Sequence, residues 1–171
     1  MPDAPGLELI RAEIEEKHHG AVVATSFEHG QAALIVDPEQ VMGVLGWLHD
    51  APGQEYRFLS SLHAADYLPA EPRFGVHYEL LSMERLDRLH VKLRVPAGQN
   101  VPSVIELFPT ADFQEREIYD MFGVVFDGHP DMRRILMPED YEGHPQRRDF
   151  PMGGEPVLFT FNEHKMPRWY E

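Results

Sequence analysis

An α+β fold is the architecture this sequence predicts: a mostly antiparallel sheet covered by helices, followed by an extended, irregular C-terminal arm. Three observations predict it. Residues 73–83 and 88–95 alternate apolar and polar side chains, as strands with one buried face do. Apolar residues spaced three and four apart near the N-terminus mark helices. Beyond Gly123 prolines and glycines break both periods, yet large apolar residues persist.

The first helix is read from Leu7, Ile10 and Ile14 on one stripe, with Pro5 suiting its start and Gly20 its end. Strands at 21–28 and 32–37 follow across a His29-Gly30-Gln31 turn. Asp37 is placed to cap a second helix, with Pro38 at its first position and Gln40 completing a capping box. Val41, Val44, Leu45 and Leu48 form its buried face, and Pro52-Gly53 stops it. In the strand expected over 55–66, Tyr56, Phe58, Ser60 and Leu62 share one side. In the next two, Phe74, Val76, Tyr78 and Leu80, then Leu89, Val91, Leu93 and Val95, form the apolar rows.

A loop at 96–102 leads to SVIELF, read as a short helix stopped by Pro109. The next helix is expected to begin near Asp112, capped by an Asp112–Glu115 box, and to end at Gly123. A step of about 100° per residue puts Ile118, Met121 and Phe122 on its apolar side. It puts Arg116, Glu117 and Asp120 opposite, with Phe113 among them. The organisation is an α+β domain over 1–95, a loop and two helices over 96–123, and an extended partner-binding arm over 124–171.

Composition excludes several functions. The 171 residues include no cysteine, so disulfides, thiolate metal sites, cysteine nucleophiles and cysteine-ligated clusters are excluded within the chain. A net charge of −14 opposes binding to nucleic-acid phosphates and to anionic membranes. No apolar run approaches the roughly 20 residues that span a bilayer, and no secretory signal is recognisable at the N-terminus. Membrane association is therefore expected only through a partner.

The most informative stretch is 112–151. Its forty residues carry ten Asp/Glu, five Arg and no Lys, interleaved with aromatic and aliphatic side chains. Arginine is favoured over lysine where a planar fork grips oxygens in partly dehydrated surroundings, and such a mixture is typical of contact surfaces. Within it a unit recurs: Asp127-Gly128-His129-Pro130 with Arg133-Arg134, then Glu142-Gly143-His144-Pro145 with Arg147-Arg148. The arginines could anchor a partner or another segment, or pair internally with Asp131, Glu139, Asp140 and Asp149. An anionic small-molecule clamp is the weaker option, because no glycine-rich phosphate loop accompanies them. His129 and His144 lack the i, i+4 spacing that helps two histidines share a metal. Glu115, Glu117 and Asp120 invite an acid–base role, but Arg116 sits four residues from both Asp112 and Asp120, where ion pairing satisfies the pattern. No catalytic residue is assigned.

Glu115-Arg116-Glu117, Asp120-Met121-Phe122-Gly123, Gly128-His129-Pro130 and Arg133-Arg134-Ile135-Leu136 form a long, specific string. Together with Pro138 to Pro145 and Arg148-Asp149-Phe150-Pro151, it resembles the C-type subunit family of respiratory NADH–quinone oxidoreductase (complex I). The preceding pattern, including the strand RFLSSLHAADY, is similar more loosely. Phe113 and Tyr141 stand where family members often carry Trp. The resemblance implies a non-catalytic subunit of the peripheral arm, on the cytoplasmic side of the bacterial membrane, whose C-terminal segment wraps a large D-type subunit. It implies no cofactor in this chain; FMN and iron–sulfur clusters lie in partner subunits, and the complex passes electrons from NADH to quinone. The docking residues expected are Glu115, Arg116, Glu117, Asp120, His129, Arg133, Arg134, Tyr141, His144, Arg147, Arg148 and Phe150. The arm is expected to bury Phe126, Ile135, Leu136, Tyr141 and Phe150 as the arginines meet carboxylates or carbonyls. Related membrane-bound hydrogenases or other quinone-reducing dehydrogenases stay open as alternatives, as does a free-standing anion-binding protein or small enzyme.

Overall fold

A computed structural model describes residues 2–151. Its order is α1 (Ala4–Lys17), β1 (Val22–Glu28), β2 (Gln31–Val36), α2 (Val41–Asp50), β3 (Phe58–Asp66), β4 (Phe74–Ser82), β5 (Asp87–Val95), β6 (Val101–Pro102), α3 (Ala111–Phe122) and β7 (Phe126–Asp127). The five long strands form one sheet, β1-β2-β5-β4-β3, and β6 pairs with β7. Every neighbouring pair in the large sheet is antiparallel except β2–β5. The fold is α+β with a mostly antiparallel sheet, as the alternation predicts.

The core lies between one sheet face and the helices. Leu7, Ile10 and Ile14 of α1 and Val41, Val44, Leu45 and Leu48 of α2 are buried together with Phe74, Val76, Tyr78 and Leu80 of β4 and the apolar row of β5. The sheet registers keep these rows on one side: Val76 faces Leu93, and Tyr78 faces Val91. The hairpin turns on two residues, His29 (φ 53°) and Gly30 (φ 76°), so β2 begins at Gln31. Positive φ at both positions matches the twist of the flanking strands.

Several local expectations are corrected. Asp37 does cap, accepting from the Glu39 N–H at 2.8 Å, but it opens a short 3-10 turn over Pro38–Gln40 that precedes α2. Gln40 completes no box; its side chain donates to the His19 carbonyl at 3.3 Å. The third strand starts at Phe58, and a register shift between Leu59 and Ser61 swaps its faces. Leu59 and Leu62 are therefore the buried pair, while Phe58 is 47% exposed. SVIELF is a tight turn, the Val104 carbonyl accepting from the N–H groups of Leu107 and Phe108. With Pro109 so near, there is no room for a second turn of helix.

Candidate functional site: the seat of the arm on the third helix

The site is built around α3. Its sequence places Ile118, Met121 and Phe122 against the sheet, and all three are buried. It begins one residue before Asp112, with no side-chain cap at Thr110, and closes at Gly123 (φ 73°). Glu115 forms no capping box. It is wholly buried and reaches back to the preceding turn, accepting from the Ser103 hydroxyl at 2.7 Å and the Val104 N–H at 2.8 Å. Burial raises its carboxyl pKa, with the two hydrogen bonds acting in opposition.

Asp120 is likewise not on a solvated face. Its side chain is fully enclosed, with Oδ2 accepting from three successive N–H groups: Ile135 at 3.0 Å, Leu136 at 2.8 Å and Met137 at 2.8 Å. Oδ1 accepts from Arg134 Nη1 at 2.6 Å. Burial pushes this carboxyl up, but the hydrogen bonds from Met137, Arg134, Leu136 and Ile135 together outweigh it, and the net shift is downward. The helix thus holds the arm by wrapping three backbone donors around one carboxylate. Arg116, expected to pair with Asp112 and Asp120, instead donates to the carbonyls of Arg133 at 3.1 Å and Arg134 at 3.0 Å.

The two Gly-His-Pro units bracket the same helix. Gly128 (φ 86°) and Gly143 (φ 91°) occupy backbone conformations that side chains resist. The histidines that follow are thereby turned toward α3. His129 Nε2 donates to the Asp112 carbonyl at 3.1 Å, while its Nδ1 accepts from the Asp131 N–H at 3.0 Å. His144 Nδ1 donates to the Asp120 carbonyl at 3.0 Å. Arg147 Nε donates to the Phe122 carbonyl at 2.6 Å, and its guanidinium lies 5.3 Å over the Phe74 ring. Gly123 has no room for a side chain, since a Cβ there would meet the Arg147 guanidinium and lie 2.5 Å from His144 Nε2.

A second clamp ties the end of the arm to the β3–β4 loop. Arg73 forks onto Asp66, at 3.0 and 2.7 Å, and onto Asp149, at 3.0 and 2.5 Å. The Arg148 N–H also donates to Asp66, at 2.8 Å, and its guanidinium to the Leu68 carbonyl. Paired with Arg73 first, and accepting also from the N–H groups of Arg148 and Leu68, Asp66 is held well below the usual carboxylate range.

All four arginines of the repeated units are therefore engaged within the chain, Arg133 with Asp131 at 2.8 Å. Tyr141 stacks on Phe150, ring centres 6.3 Å apart, and the Arg134 guanidinium lies 5.7 Å from the Tyr141 ring. Phe126 is buried in the chain's own core. Glu117 lines a small recess with Leu62, Ile118 and Gln146. Facing outward are Phe113 (63% exposed), Leu136 (60%) and Ile135 (37%). The expected arm residues beyond Pro151 lie outside the described residues. Sequence reasoning missed Asp66, Arg73 and Ser103, whose partners on α3 or in the arm stand 12 to 82 positions away. Among the described residues no group of three or more His, Cys, Asp or Glu is disposed to hold a metal, and no helix is long and apolar enough to cross a membrane.

The family model for the respiratory-chain NADH dehydrogenase 30 Kd subunit matches residues 34–156, which takes in most of the sheet, α3 and the arm seat. The chain belongs to this family. It is 49% identical over 137 residues to the C-type subunit of NADH-quinone oxidoreductase from Herpetosiphon aurantiacus, covering 80% of each chain. The protein of the same name from Roseiflexus castenholzii is 47% identical over 147 residues, covering 85% of this chain and 84% of that one. A third, from Roseiflexus sp. (strain RS-1), is 41% identical over 167 residues, with 97% and 94% covered. The last of these relatives matches nearly from end to end, so the resemblance seen in 112–151 extends over the whole sheet domain.

Proposed function

We propose that this chain is a non-catalytic structural subunit of the peripheral arm of a proton-translocating NADH–quinone oxidoreductase. It scaffolds the quinone-reducing module by docking along a large D-type subunit, on the cytoplasmic side of the membrane. Electron transfer from NADH through FMN and iron–sulfur clusters to quinone belongs to the assembled complex, with those cofactors in other subunits. A chain without cysteine has no thiolates to ligate a cluster. The names carried by its relatives favour this complex over a hydrogenase.

One observation carries the docking reading. The segment 133–137 is locked by the buried Asp120, and Ile135 and Leu136 nevertheless face outward. Apolar side chains held rigidly at a surface lose little further freedom when a partner covers them. The arginines serve as internal ligaments that set this shape, so the partner meets the apolar residues between them.

The test is Leu136→Glu combined with Phe113→Glu in the full-length protein, expressed with the rest of the complex. Co-purification with the D-type subunit should fall at least tenfold. Because both sites are exposed, the isolated chain should unfold within about 0.5 kcal/mol of the parent. Undiminished co-purification, with NADH–quinone activity retained in membranes, would overturn the reading.

A further inference from the structure

The sheet has a second face. Helices cover one side, but the other carries a shallow hollow of about 490 Å³, lined by Gln31, Ser60, His63, His77, Glu79, Leu80, Arg88, His90 and Lys92. Register explains the lining: His63 faces His77, which faces Lys92, and His90 stands between Glu79 on β4 and Ala33 on β2. These are the positions that alternate with the buried row.

The charge here is opposite to that of the molecule. The whole chain carries −14 with its histidines neutral, yet this hollow sets two full cations, Arg88 and Lys92, against a single carboxylate. Of its three histidines, His77 is lowered to about 4 by burial and adds no charge near neutral pH. That carboxylate, Glu79, is already engaged by His90 Nδ1 at 2.6 Å. Among the described residues, Arg88 and Lys92 have neither a carboxylate nor a carbonyl partner. His63 and His77 stack face to face across the strands, ring centres 5.2 Å apart and planes 6° apart, and Tyr67 stacks on His77 at 6.3 Å. These rings pair with each other and leave Arg88 and Lys92 as the cationic groups of the hollow. His90 Nε2 is buried with no hydrogen-bond partner among the described residues, an uncommon state for a polar atom. Most of the chain's other basic groups are spent on its own acids and carbonyls, Arg73, Arg85 and Arg134 among them.

We propose that this face is a second docking surface, distinct from the arm, and that it receives an acidic segment of a neighbouring subunit. The inference rests on the chain being a subunit of an assembly but not on which subunit the arm meets. Complementary potential steers and registers such a contact, and two cations without a partner among the described residues, on an otherwise acidic protein, select a polypeptide rich in Asp and Glu. A nucleic acid would be repelled by the remainder of the molecule.

Lys92 makes the proposal measurable, since the sequence has only two other lysines, Lys17 and Lys165. The purified complex and the isolated full-length chain are each treated with an amine-reactive label, and Lys92 is quantified by peptide mass spectrometry. Labelling should fall at least tenfold in the complex. A zero-length carbodiimide cross-linker should then join Lys92 to an Asp or Glu of another subunit. Arg88→Glu with Lys92→Glu should weaken retention of that subunit at least tenfold without altering the melting temperature of the isolated chain. Equal labelling in both samples would overturn the proposal. So would cross-links confined to Glu79 of the same chain or to a second copy of it. The arm is untouched by these substitutions, so the two docking surfaces fail or stand independently.

Discussion

Asp120 gathers more of the arm than any other side chain, receiving four donors from residues 134–137. Asp120→Asn keeps the shape but offers one acceptor oxygen where there were two, and leaves the Arg134 guanidinium without its anion. Breaking a buried charge pair from one side costs about 3–5 kcal/mol. Urea unfolding should show a loss near the lower end of that range, because Arg134 keeps the Gly143 carbonyl at 2.9 Å. Glu115 behaves in the opposite sense. Its folded pKa is raised by burial, so its ionised form opposes folding and stability increases as pH falls toward the ordinary carboxylate value. Glu115→Gln should therefore leave stability near pH 7 equal or higher and flatten its dependence between pH 4 and 7. Glu115→Ala, which strands the Val104 N–H, should cost about 1–3 kcal/mol. Parallel urea titrations at several pH values check both variants.

Among the elements, α3 is the one whose ends matter most. Its C-terminal glycine combines a left-handed φ of 73° with direct contact from His144 and Arg147. Gly123→Ala should destabilise the protein by about 2 kcal/mol, roughly 1 from the backbone and the rest from displaced contacts. Thermal unfolding reads the total. Loss of the Gln146 N–H to Met121 carbonyl bond, at 3.1 Å, would appear as faster hydrogen exchange at Gln146. The strand elements teach a different lesson. Alternation named the buried residues of β4 and β5 correctly, since nothing interrupts their pairing. In β3 the register shift after Leu59 adds one residue to one strand, so Phe58 turns outward while Leu59 joins Leu62 on the buried side. Tyr56, which precedes the strand, stays buried as expected.

For the molecule as a whole, acid should separate the arm from the sheet before the sheet itself unfolds. Asp66 and Asp120 both have folded pKa values below their unfolded ones. Their contribution is fully present above the ordinary carboxylate pKa of about 4 and is lost as pH falls through the folded values. The amides of Ile135, Leu136, Met137 and Arg148, which donate to these two carboxylates, should lose exchange protection progressively as pH falls below about 4, after correction for intrinsic rates. Amides in β4 and β5 should keep theirs over the same range. Simultaneous loss in arm and sheet would contradict this order of events.

The sequence by itself determined the fold class, because alternation of period two and stripes of period 3.6 are local properties of neighbouring residues. It also determined the family, because the string from Glu115 to Pro151 is long and specific. What only the tertiary structure decided was the partner of each charge. Asp120 reads as solvated, and Arg116 as paired along the helix, when spacing within one element is the only measure at hand. The arm folds back over α3, and the acids then meet donors 14 to 82 residues distant. A carboxylate is buried or solvated according to what lies over it, and that covering segment comes from elsewhere in the chain.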